Sequence, residues 1–420
     1  MRYLFTMIAI IFAAPAGAAD LPTFKAQEID TGLKIGYAVL ATDIDGDKRP
    51  DLVVVDQHKV VWYRNPGTRD GEWKKFTILD GKTRPDNVCI ADIDIDGDGL
   101  PELVLGAAWK PFDTTNAGQL VWLKRGKDVT QEWTMHELPC DEPNVHRVRV
   151  ADINGNGKPS IIVAPLLGRG ATEEGDWTNG RPVRIVALEA PEKDPEKKEN
   201  WKVCVLSNEF RVVQNIDICF QGTARTGTVA SILTASDKGV HALWVGNGQI
   251  QKHNPIALRD KDKPDGSKAA RDVRYGLMWP TQLNKGTAWY DAAIESRDGS
   301  ELAVYPISRG IPRILIDQNF RGGKAIRCAD LDGDGADELI LGVHDNPNPK
   351  AGDRFRERRG VRFYKCVEEN GKQWERRIID DGGIAVEDLA VADLDGDGKI
   401  DIVAVGRSTR NCRIYWNQGK

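Results

Sequence analysis

Short apolar runs recur along the chain and are separated by turns rich in Asp, Gly, Asn and Pro. Five of these runs read "DLVVVD", "ELVLG", "SIIVAP", "ELILGV" and "DIVAVG". Apolar runs of roughly four to eight residues between turn residues are typical of buried strands. No segment shows the period of an amphipathic helix. The pattern therefore predicts an all-β protein built from many short strands.

An acidic loop stands directly before each of these five runs. In chain order the loops are "DIDGDKRPD" from Asp43, "DIDGDGLPE" from Asp94, "DINGNGKPS" from Asp152, "DLDGDGADE" from Asp330 and "DLDGDGKID" from Asp393. The intervals between them are 51, 58, 178 and 63 residues, so the long interval should contain two degenerate repeats. We place these near Asp217 and Glu295, and we align Glu301 with Glu338. Seven repeats of this period indicate a β-propeller or a solenoid.

A second series of segments supports this count. Strands that begin with an aromatic residue or are rich in β-formers read "EWKKFTILD", "EWTMHELP", "NWKVCVLS", "IPRILID" and "QWERRIID", and we interpret each as the outer strand of one blade. The last repeat ends at "CRIYWNQGK" without such a strand, whereas a spare copy, "TFKAQEIDTG", begins at Thr23. We expect this N-terminal strand to complete the last blade and close the ring, which leaves no open sheet edge.

The acidic loops have the chemistry of a calcium site. Carboxylates at positions 1, 3, 5 and 9 offer hard oxygen ligands, and the glycines at positions 4 and 6 permit a tight turn. An EF-hand begins in the same way but needs an acidic ligand at position 12 and a following helix. Position 12 is apolar in all five loops, where it is Val54, Leu105, Val163, Leu341 and Ala404. The EF-hand is therefore excluded.

On these loops the chain resembles the FG-GAP/VCBS repeat family, the β-propeller repeats also found in integrin α-subunits. The resemblance implies a seven-bladed propeller whose acidic loops join the two inner strands of a blade and hold structural Ca²⁺. The ligands it implies are Asp43, Asp45, Asp47 and Asp51; Asp94, Asp96, Asp98 and Glu102; Asp330, Asp332, Asp334 and Glu338; and Asp393, Asp395, Asp397 and Asp401. Lys48 replaces a glycine in the first loop, which predicts a weaker site. The third loop has Asn154, Asn156 and Ser160, and we expect it to be empty.

Residues at the ends of the strands away from the acidic loops are candidates for a functional site. His146 and Arg147 head the inner strand of the third blade, at the mouth of the predicted channel. With Arg169 they are candidate catalytic residues, whereas solvation of the channel or strand capping is the alternative for each. Candidate ligand-binding residues on the same face are His58, Trp109, Gln214 and His344. Trp109 and Trp177 could stack on sugar rings.

The segment "HRVRVADINGNGKPSIIVAPLLGRG" is similar to the propeller domain of the aldos-2-ulose dehydratases. This resemblance implies a base or ligand role for His146 and a substrate contact for Arg169, although Gln214 stands where a further histidine is expected. Three functions follow as alternatives. The first is a calcium-stabilised module that binds carbohydrate, the second is a sugar dehydratase, a carbon–oxygen lyase, and the third is a protein-interaction scaffold.

Composition and the N-terminus set the cellular context. The 420 residues include 58 basic and 63 acidic side chains, a net charge of -5, which argues against a nucleic-acid partner. "MRYLFTMIAIIFAAPAGAAD" predicts a signal peptide over residues 1–19, followed by one propeller domain over 20–420 in a secreted or periplasmic protein. Its apolar run is too short to span a membrane. We expect a monomer whose ligand is a carbohydrate or an extracellular protein, and whose seven cysteines are mainly buried thiols.

Overall fold

The apolar runs form strands, and the strands assemble four at a time. The computed structural model describes residues 21–116, 118–220, 230–246, 249–256, 269–279, 288–295, 299–307, 313–345, 358–368 and 371–420. Within these ranges 28 strands form seven antiparallel four-stranded sheets, and the helical residues are two short 3-10 turns at Glu173–Gly175 and Lys198–Asn200. The predicted signal peptide lies outside the described residues.

One strand of each sheet belongs to an inner ring. These strands are β2 (Ala38–Thr42), β6 (Cys89–Ile93), β10 (Val145–Ala151), β14 (Val213–Phe220), β18 (Ala270–Trp279), β22 (Gly323–Ala329) and β26 (Val386–Ala392). Each contacts the inner strand of the next sheet, and β26 contacts β2. The sheets are therefore the blades of a closed seven-bladed β-propeller, which confirms the predicted fold class.

The other strands follow outwards in each blade. The second strands are β3 (Asp51–Val55), β7 (Glu102–Ala107), β11 (Ser160–Pro165), β15 (Ala230–Ser236), β19 (Ala288–Glu295), β23 (Glu338–Val343) and β27 (Asp401–Gly406). The third strands are β4 (Lys59–Arg64), β8 (Gln119–Lys124), β12 (Val183–Glu189), β16 (Gly239–Gly246), β20 (Glu301–Pro306), β24 (Gly360–Cys366) and β28 (Cys412–Asn417). The outer strands are β5 (Lys74–Asp80), β9 (Thr134–Glu137), β13 (Lys202–Phe210), β17 (Gln249–Pro255), β21 (Ile314–Asp317), β25 (Trp374–Asp381) and β1 (Phe24–Asp30).

The seventh blade combines both ends of the described chain. Its outer strand β1 pairs antiparallel with β28, from Phe24 opposite Asn417 to Asp30 opposite Cys412. The pairing satisfies the backbone groups that would otherwise leave β28 as an open edge.

The second strands explain the continuous apolar runs in the sequence. Every residue of β3, β7, β11, β23 and β27 is buried, because both faces of a blade pack against neighbouring blades. Outer strands such as β5 and β13 instead mix buried and exposed positions. Burial on two faces thus distinguishes the second strand from the outer strand of the same blade.

Strand direction gives the propeller two different faces. The five acidic loops each join an inner strand to the second strand, as Thr42 and Asp51 show for the first. We call this side the acidic face. The inner strands begin on the opposite side, where the loops between second and third strands also lie, and we call this side the mouth face. His146 is the second residue of β10 and Asp152 follows its last residue, so the two lie on opposite faces.

Buried and partly buried polar side chains link neighbouring inner strands. Asp272 in β18 accepts hydrogen bonds from Asn215 in β14 and from the Ile326 N–H in β22, the latter at 2.8 Å. Arg327 in β22 donates to Asp388 in β26 at 2.8 Å. Asp388 also accepts from the Val39 N–H of β2 at 3.2 Å. Hydrogen bonds therefore support these contacts between blades in addition to apolar packing.

The two degenerate repeats are present, but one alignment within them was wrong. The repeat near Asp217 is the fourth blade, and that near Glu295 is the fifth. Glu301 begins the third strand β20, whereas Glu338 begins the second strand β23, so the two are not equivalent. The inner strand β18 starts further upstream, at Ala270, in a segment whose polar residues resemble a loop.

The described residues contain no helix long and apolar enough to cross a membrane. All seven cysteines are free thiols, three of them fully buried. The expectation of free thiols is met, but the other four cysteines are only partly buried.

Candidate functional site

Each acidic loop is folded around its first carboxylate. In the second blade, Asp94 accepts hydrogen bonds from the Gly97 N–H at 2.7 Å and the Gly99 N–H at 3.0 Å. In the seventh blade, Asp393 accepts from Gly396 and Gly398, both at 2.9 Å. The loop backbone therefore fixes the first carboxylate at the centre of the turn.

Three carboxylates converge in four of the five loops. Their oxygen atoms lie within 4.8 Å of one another in the groups Asp43, Asp45 and Asp51; Asp94, Asp96 and Glu102; Asp330, Asp332 and Glu338; and Asp393, Asp395 and Asp401. These are positions 1, 3 and 9 of the loop. The predicted ligands at position 5, which are Asp47, Asp98, Asp334 and Asp397, are not members of these groups. They pair with basic side chains, as Asp397 does with Lys399 at 2.6 Å.

The second-blade group fits a hard divalent cation. Glu102 is buried, and its Oε1 accepts no hydrogen bond from the described residues; the nearest cationic nitrogen, Arg125 Nε, is 3.9 Å away. Burial, assisted by the charge of Asp96, raises the pKa of Glu102 to about 7. Carboxylates that crowd together in this way are stabilised by a cation with oxygen-preferring chemistry, such as Ca²⁺.

The sixth-blade group already has a positive charge beside it. Lys365 Nζ is 2.6 Å from Asp334 and 3.4 Å from Glu338, and it also contacts Asp332. Lys420 Nζ lies 3.3 Å from Asp332. The four loops therefore share one arrangement of carboxylates. They differ in how much of the negative charge is neutralised by basic side chains.

The first and third loops depart from the others as their sequences imply. Lys48 takes the left-handed backbone conformation, with φ of 69°, where the second loop has Gly99. In the third loop the Asn156 and Gly157 N–H groups donate to Asp152, at 3.2 and 2.6 Å. Asn154 Nδ2 donates to Glu189 at 3.2 Å, so this amide is already engaged within its blade.

Replacing Lys48 by Gly is expected to raise the free energy of unfolding by about 0.5–1 kcal/mol, because the left-handed conformation is strained for a residue with a Cβ atom. Gly99→Ala is the matched control. Gly99 has φ of 84° and nothing within 4 Å of an added Cβ, so this variant should lose about 1 kcal/mol through the backbone alone. Urea unfolding measures both changes. A less stable Lys48→Gly protein would show that the lysine is not strained.

The mouth face is shaped by a ring of β-bulges. Five inner strands have one unpaired extra residue near their start, and these residues are His146, Gln214, Arg271, Lys324 and Glu387. Bulges re-aim side chains and are frequent beside active sites. Three of the five, His146, Lys324 and Glu387, stand six residues before an acidic loop. Equivalent positions of the repeat thus bring a histidine, a lysine and a glutamate to one rim.

His146 is enclosed at this rim. Its ring stacks on Trp109 with centroids 4.8 Å apart, and its Nδ1 has no hydrogen-bond partner among the described residues. Burial holds the pKa of His146 well below its usual range, and the charges of Arg147 and Lys324 lower it further. The main chain of Gln214 hydrogen-bonds to the ring. The imidazole is therefore held in its neutral form, and its Nδ1 is buried.

Lys324 and His344 meet at Glu387. Lys324 Nζ is 3.0 Å from Glu387 Oε1, and His344 Nδ1 is 3.6 Å from Glu387 Oε2. Burial alone would raise the pKa of Glu387, but Lys324, His344 and Arg407 outweigh it and hold the pKa below its ordinary value. Burial lowers the pKa of His344. We call His146, Arg147, Lys324, His344 and Glu387 the mouth cluster.

A cavity of about 480 Å³ is lined by residues of the second, third and fourth blades and includes Gln214, whose main chain hydrogen-bonds to His146 of the mouth cluster. Gln214, Trp177 and Phe112 line it, together with Asp176 and Asp237. The rings of Phe112 and Trp177 are 4.9 Å apart, and Phe112 is 70% exposed. Both Asp176 and Trp177 have left-handed φ angles, of 53° and 62°. Such strain in residues other than glycine is often found at ligand sites.

Not all predicted residues join this region. Arg169 donates to the carbonyl groups of Thr115 and Asp141, so it braces loops of the second and third blades. His58 is half-buried in the turn after β3, where its carbonyl accepts the Gly81 N–H at 2.9 Å. Trp109 is buried, and His146 covers one of its faces, which corrects its predicted role as a sugar-stacking platform.

The sequence interpretation did not single out Lys324 or Phe112. Lys324 could have been found from its spacing, because it precedes Asp330 by the same six residues that separate His146 from Asp152. Phe112 had no comparable signal, since its position depends on the conformation of an irregular loop.

Comparisons with known proteins agree with this architecture. The model of the FG-GAP-like repeat matches residues 43–105, and that of the aldos-2-ulose dehydratase β-propeller domain matches residues 117–305. The chain is 21% identical over 423 aligned positions to aldos-2-ulose dehydratase from Phanerodontia chrysosporium, covering 94% of this chain and 45% of that protein. It therefore spans less than half the length of this curated relative.

Solved structures support the fold alone. BBS1N in complex with ARL6DN, soaked with mercury, superposes with a TM-score of 0.53 at 13% identity, over 94% of this chain and 96% of that chain. The lead-soaked crystal of the same complex gives 0.50 at 14% identity, over 95% and 97%. With the sequence matches, these results show that the chain forms a β-propeller that is similar to the FG-GAP-like repeat over residues 43–105 and distantly homologous to the propeller domain of aldos-2-ulose dehydratase.

Proposed function

We propose that this chain is an exported, calcium-stabilised β-propeller that binds a carbohydrate on its mouth face. The observation that carries the proposal is the meeting of a polar rim and an aromatic cavity at one place. The mouth cluster provides buried hydrogen-bonding groups, and the adjacent cavity has the paired rings of Phe112 and Trp177. Ligand pockets typically combine apolar or aromatic walls with a few placed polar groups.

A sugar matches the chemistry of this cavity. Aromatic rings can pack on the apolar face of a pyranose, while Gln214 and Asp237 on the cavity wall can hydrogen-bond to hydroxyl groups. The cavity volume of about 480 Å³ lies within the usual range for small-molecule sites, roughly 300–1,000 Å³. The ligand would then contact the bulge residue Gln214, whose main chain holds His146.

Calcium would act on the opposite face and would be structural. In the four loops where three carboxylates converge, the residues of positions 1, 3 and 9 would hold the ion, which would cancel their mutual repulsion and fix the hairpin between the two inner strands. Export rests on the N-terminal sequence, which has the charged, apolar and small-residue regions of a signal peptide.

Binding can be tested with a panel of neutral monosaccharides and oligosaccharides by glycan array and calorimetry. Phe112→Ala and Trp177→Ala are expected to weaken binding at least tenfold, about 1.4 kcal/mol. Leu315→Ala is the matched control, because Leu315 is an exposed apolar residue on the outer strand β21. If no sugar binds, or if both aromatic variants bind as the wild type does, the carbohydrate proposal fails and a protein ligand becomes the better hypothesis.

A second candidate is a sugar dehydratase, favoured by the free Nδ1 of the neutral, buried His146 and by the distant homology to aldos-2-ulose dehydratase. The imidazole would take the proton next to a carbonyl group, and the hydroxyl group on the following carbon would leave as water. Incubation with an aldos-2-ulose should then produce ultraviolet absorbance of a conjugated enone, and His146→Gln should abolish it. If the wild-type protein does not form this product, the dehydratase hypothesis fails and only carbohydrate binding remains as the proposed function.

A further inference from the structure

The ring of inner strands has a surplus of positive charge. Its basic residues are Arg147, Arg149, Arg271, Arg274, Lys324 and Arg327, and its acidic residues are Asp92, Asp217, Asp272, Glu387 and Asp388. Six basic and five acidic side chains give a net charge of +1 for these seven strands. The surplus lies towards the mouth face, because Asp92 is near the acidic face, where it accepts a hydrogen bond from Thr42 at 2.9 Å.

Two arginines of the ring form ion pairs with carboxylates of the ring. Arg274 pairs with Asp272 at 2.9 Å, and Arg327 pairs with Asp388 at 2.8 Å. Among the described residues, no carboxylate forms an ion pair with Arg147 or Arg149. Arg147 donates to the His146 carbonyl at 2.9 Å. Arg149 donates to the Val148 carbonyl at 2.9 Å and to Asn215 at 3.1 Å.

Arg147 lies where the blades face one another across the central opening. Its charge acts on His146 of its own blade, on Lys324 of the sixth blade and on Asp388 of the seventh. The side chains of Arg147 and Arg149 are partly buried. Burial, together with the nearby Arg274, lowers the pKa of Arg149 to about 10.

Such an arrangement is suited to an anion. Burying a positive group without a negative partner costs free energy, and a bound anion removes that cost. A guanidinium group presents two parallel N–H donors that match the two oxygen atoms of a carboxylate.

We propose that the sugar bound on the mouth face is an acidic sugar, a uronate, whose carboxylate is held by Arg147 with Arg149 and Lys324 at the central opening. This inference rests on the proposed carbohydrate site and names its ligand class. The sugar ring would lie towards the cavity lined by Gln214, Phe112 and Trp177, and the carboxylate would point to the axis of the propeller.

The test compares matched sugars by calorimetry at low and high salt. Glucuronate and galacturonate are expected to bind at least tenfold more tightly than glucose, galactose and the two uronate methyl esters, and the preference should weaken as salt increases. Arg147→Gln should remove the preference, and Arg147→Lys should retain part of it. Arg377→Gln, on the outer strand β25, is the control and should change nothing.

Three outcomes would overturn the inference in distinguishable ways. Equal affinity for uronates and neutral sugars would refute the acidic ligand while leaving the carbohydrate site in place. Stronger competition by inorganic sulfate or phosphate than by acetate would assign the arginines to a different anion. Failure of every sugar, neutral or acidic, to bind would reject the carbohydrate site itself and the inference with it.

Discussion

Removing calcium from the purified protein is expected to lower the midpoint of thermal unfolding by on the order of 10 °C. Four loops each bring three carboxylates together, and a ligand at 100 times its Kd stabilises the folded state by about 2.7 kcal/mol per site. The unfolding entropy is about 2.1 cal/mol/K per residue, so for a chain of 420 residues each kcal/mol of added stability raises the midpoint by roughly 1 °C. Calorimetry with excess calcium and with a chelator measures the shift.

The loops provide matched controls for this experiment. Asp94→Asn removes the first carboxylate of a converging group, so it should reduce the calcium-dependent shift. Asp152→Asn changes the same position in the third loop, whose other loop positions are Asn154, Asn156 and Ser160, and should leave the shift unchanged. An identical midpoint with calcium and with chelator would mean that ion pairs such as Lys365 with Asp334 are sufficient, and that the loops are ordinary turns.

The fold could be predicted because each repeat has a short sequence motif that is set by local structural requirements. Each acidic loop needs glycine and carboxylates at fixed positions, and each second strand needs an apolar run because two neighbouring blades cover it. The fifth blade was placed less accurately for a physical reason. Its inner strand β18 contains Arg271, Asp272 and Arg274, and these residues look like a loop until their ion pair and hydrogen bonds to other blades are known.

The candidate site could be predicted only in part. The position of His146 at a strand start followed from the repeat, and the same spacing would have identified Lys324. The burial of Trp109 could not be predicted, since it depends on stacking against a histidine from the next blade. The pairing of Phe112 with Trp177 depends on two left-handed residues in a long loop, and sequence gives little information about such conformations.

The two faces of the propeller use charge in opposite ways. On the acidic face, carboxylates exceed their cationic partners, as the unpartnered Oε1 of Glu102 shows. At the central opening, the guanidinium groups of Arg147 and Arg149 lack carboxylates among the described residues. Between these faces, the inner strands contain the ion pairs of Arg274 with Asp272 and of Arg327 with Asp388. Charged groups without an ion-pair partner therefore lie where a ligand can approach. The ion pairs lie where neighbouring blades pack against each other.

Asp272→Ala is expected to lower the free energy of unfolding by about 3–5 kcal/mol, the usual cost of removing one partner from a buried ion pair. Asp272 is fully buried and accepts hydrogen bonds from Arg274 at 2.9 Å and from the Ile326 N–H at 2.8 Å. The substitution leaves the buried Arg274 without its ion-pair partner and removes a link between the fifth and sixth blades. Urea unfolding measures the loss.

Two further variants give this prediction its controls. Asp272→Asn keeps an oxygen acceptor without the charge and should cost less than Asp272→Ala. Glu192→Ala breaks an exposed pair with Lys158, 3.0 Å apart, and should change stability by no more than about 1 kcal/mol, because surface pairs are screened by water. If Asp272→Ala were no more harmful than Glu192→Ala, the polar links between inner strands would contribute little, and the apolar contacts between blades would hold the ring together on their own.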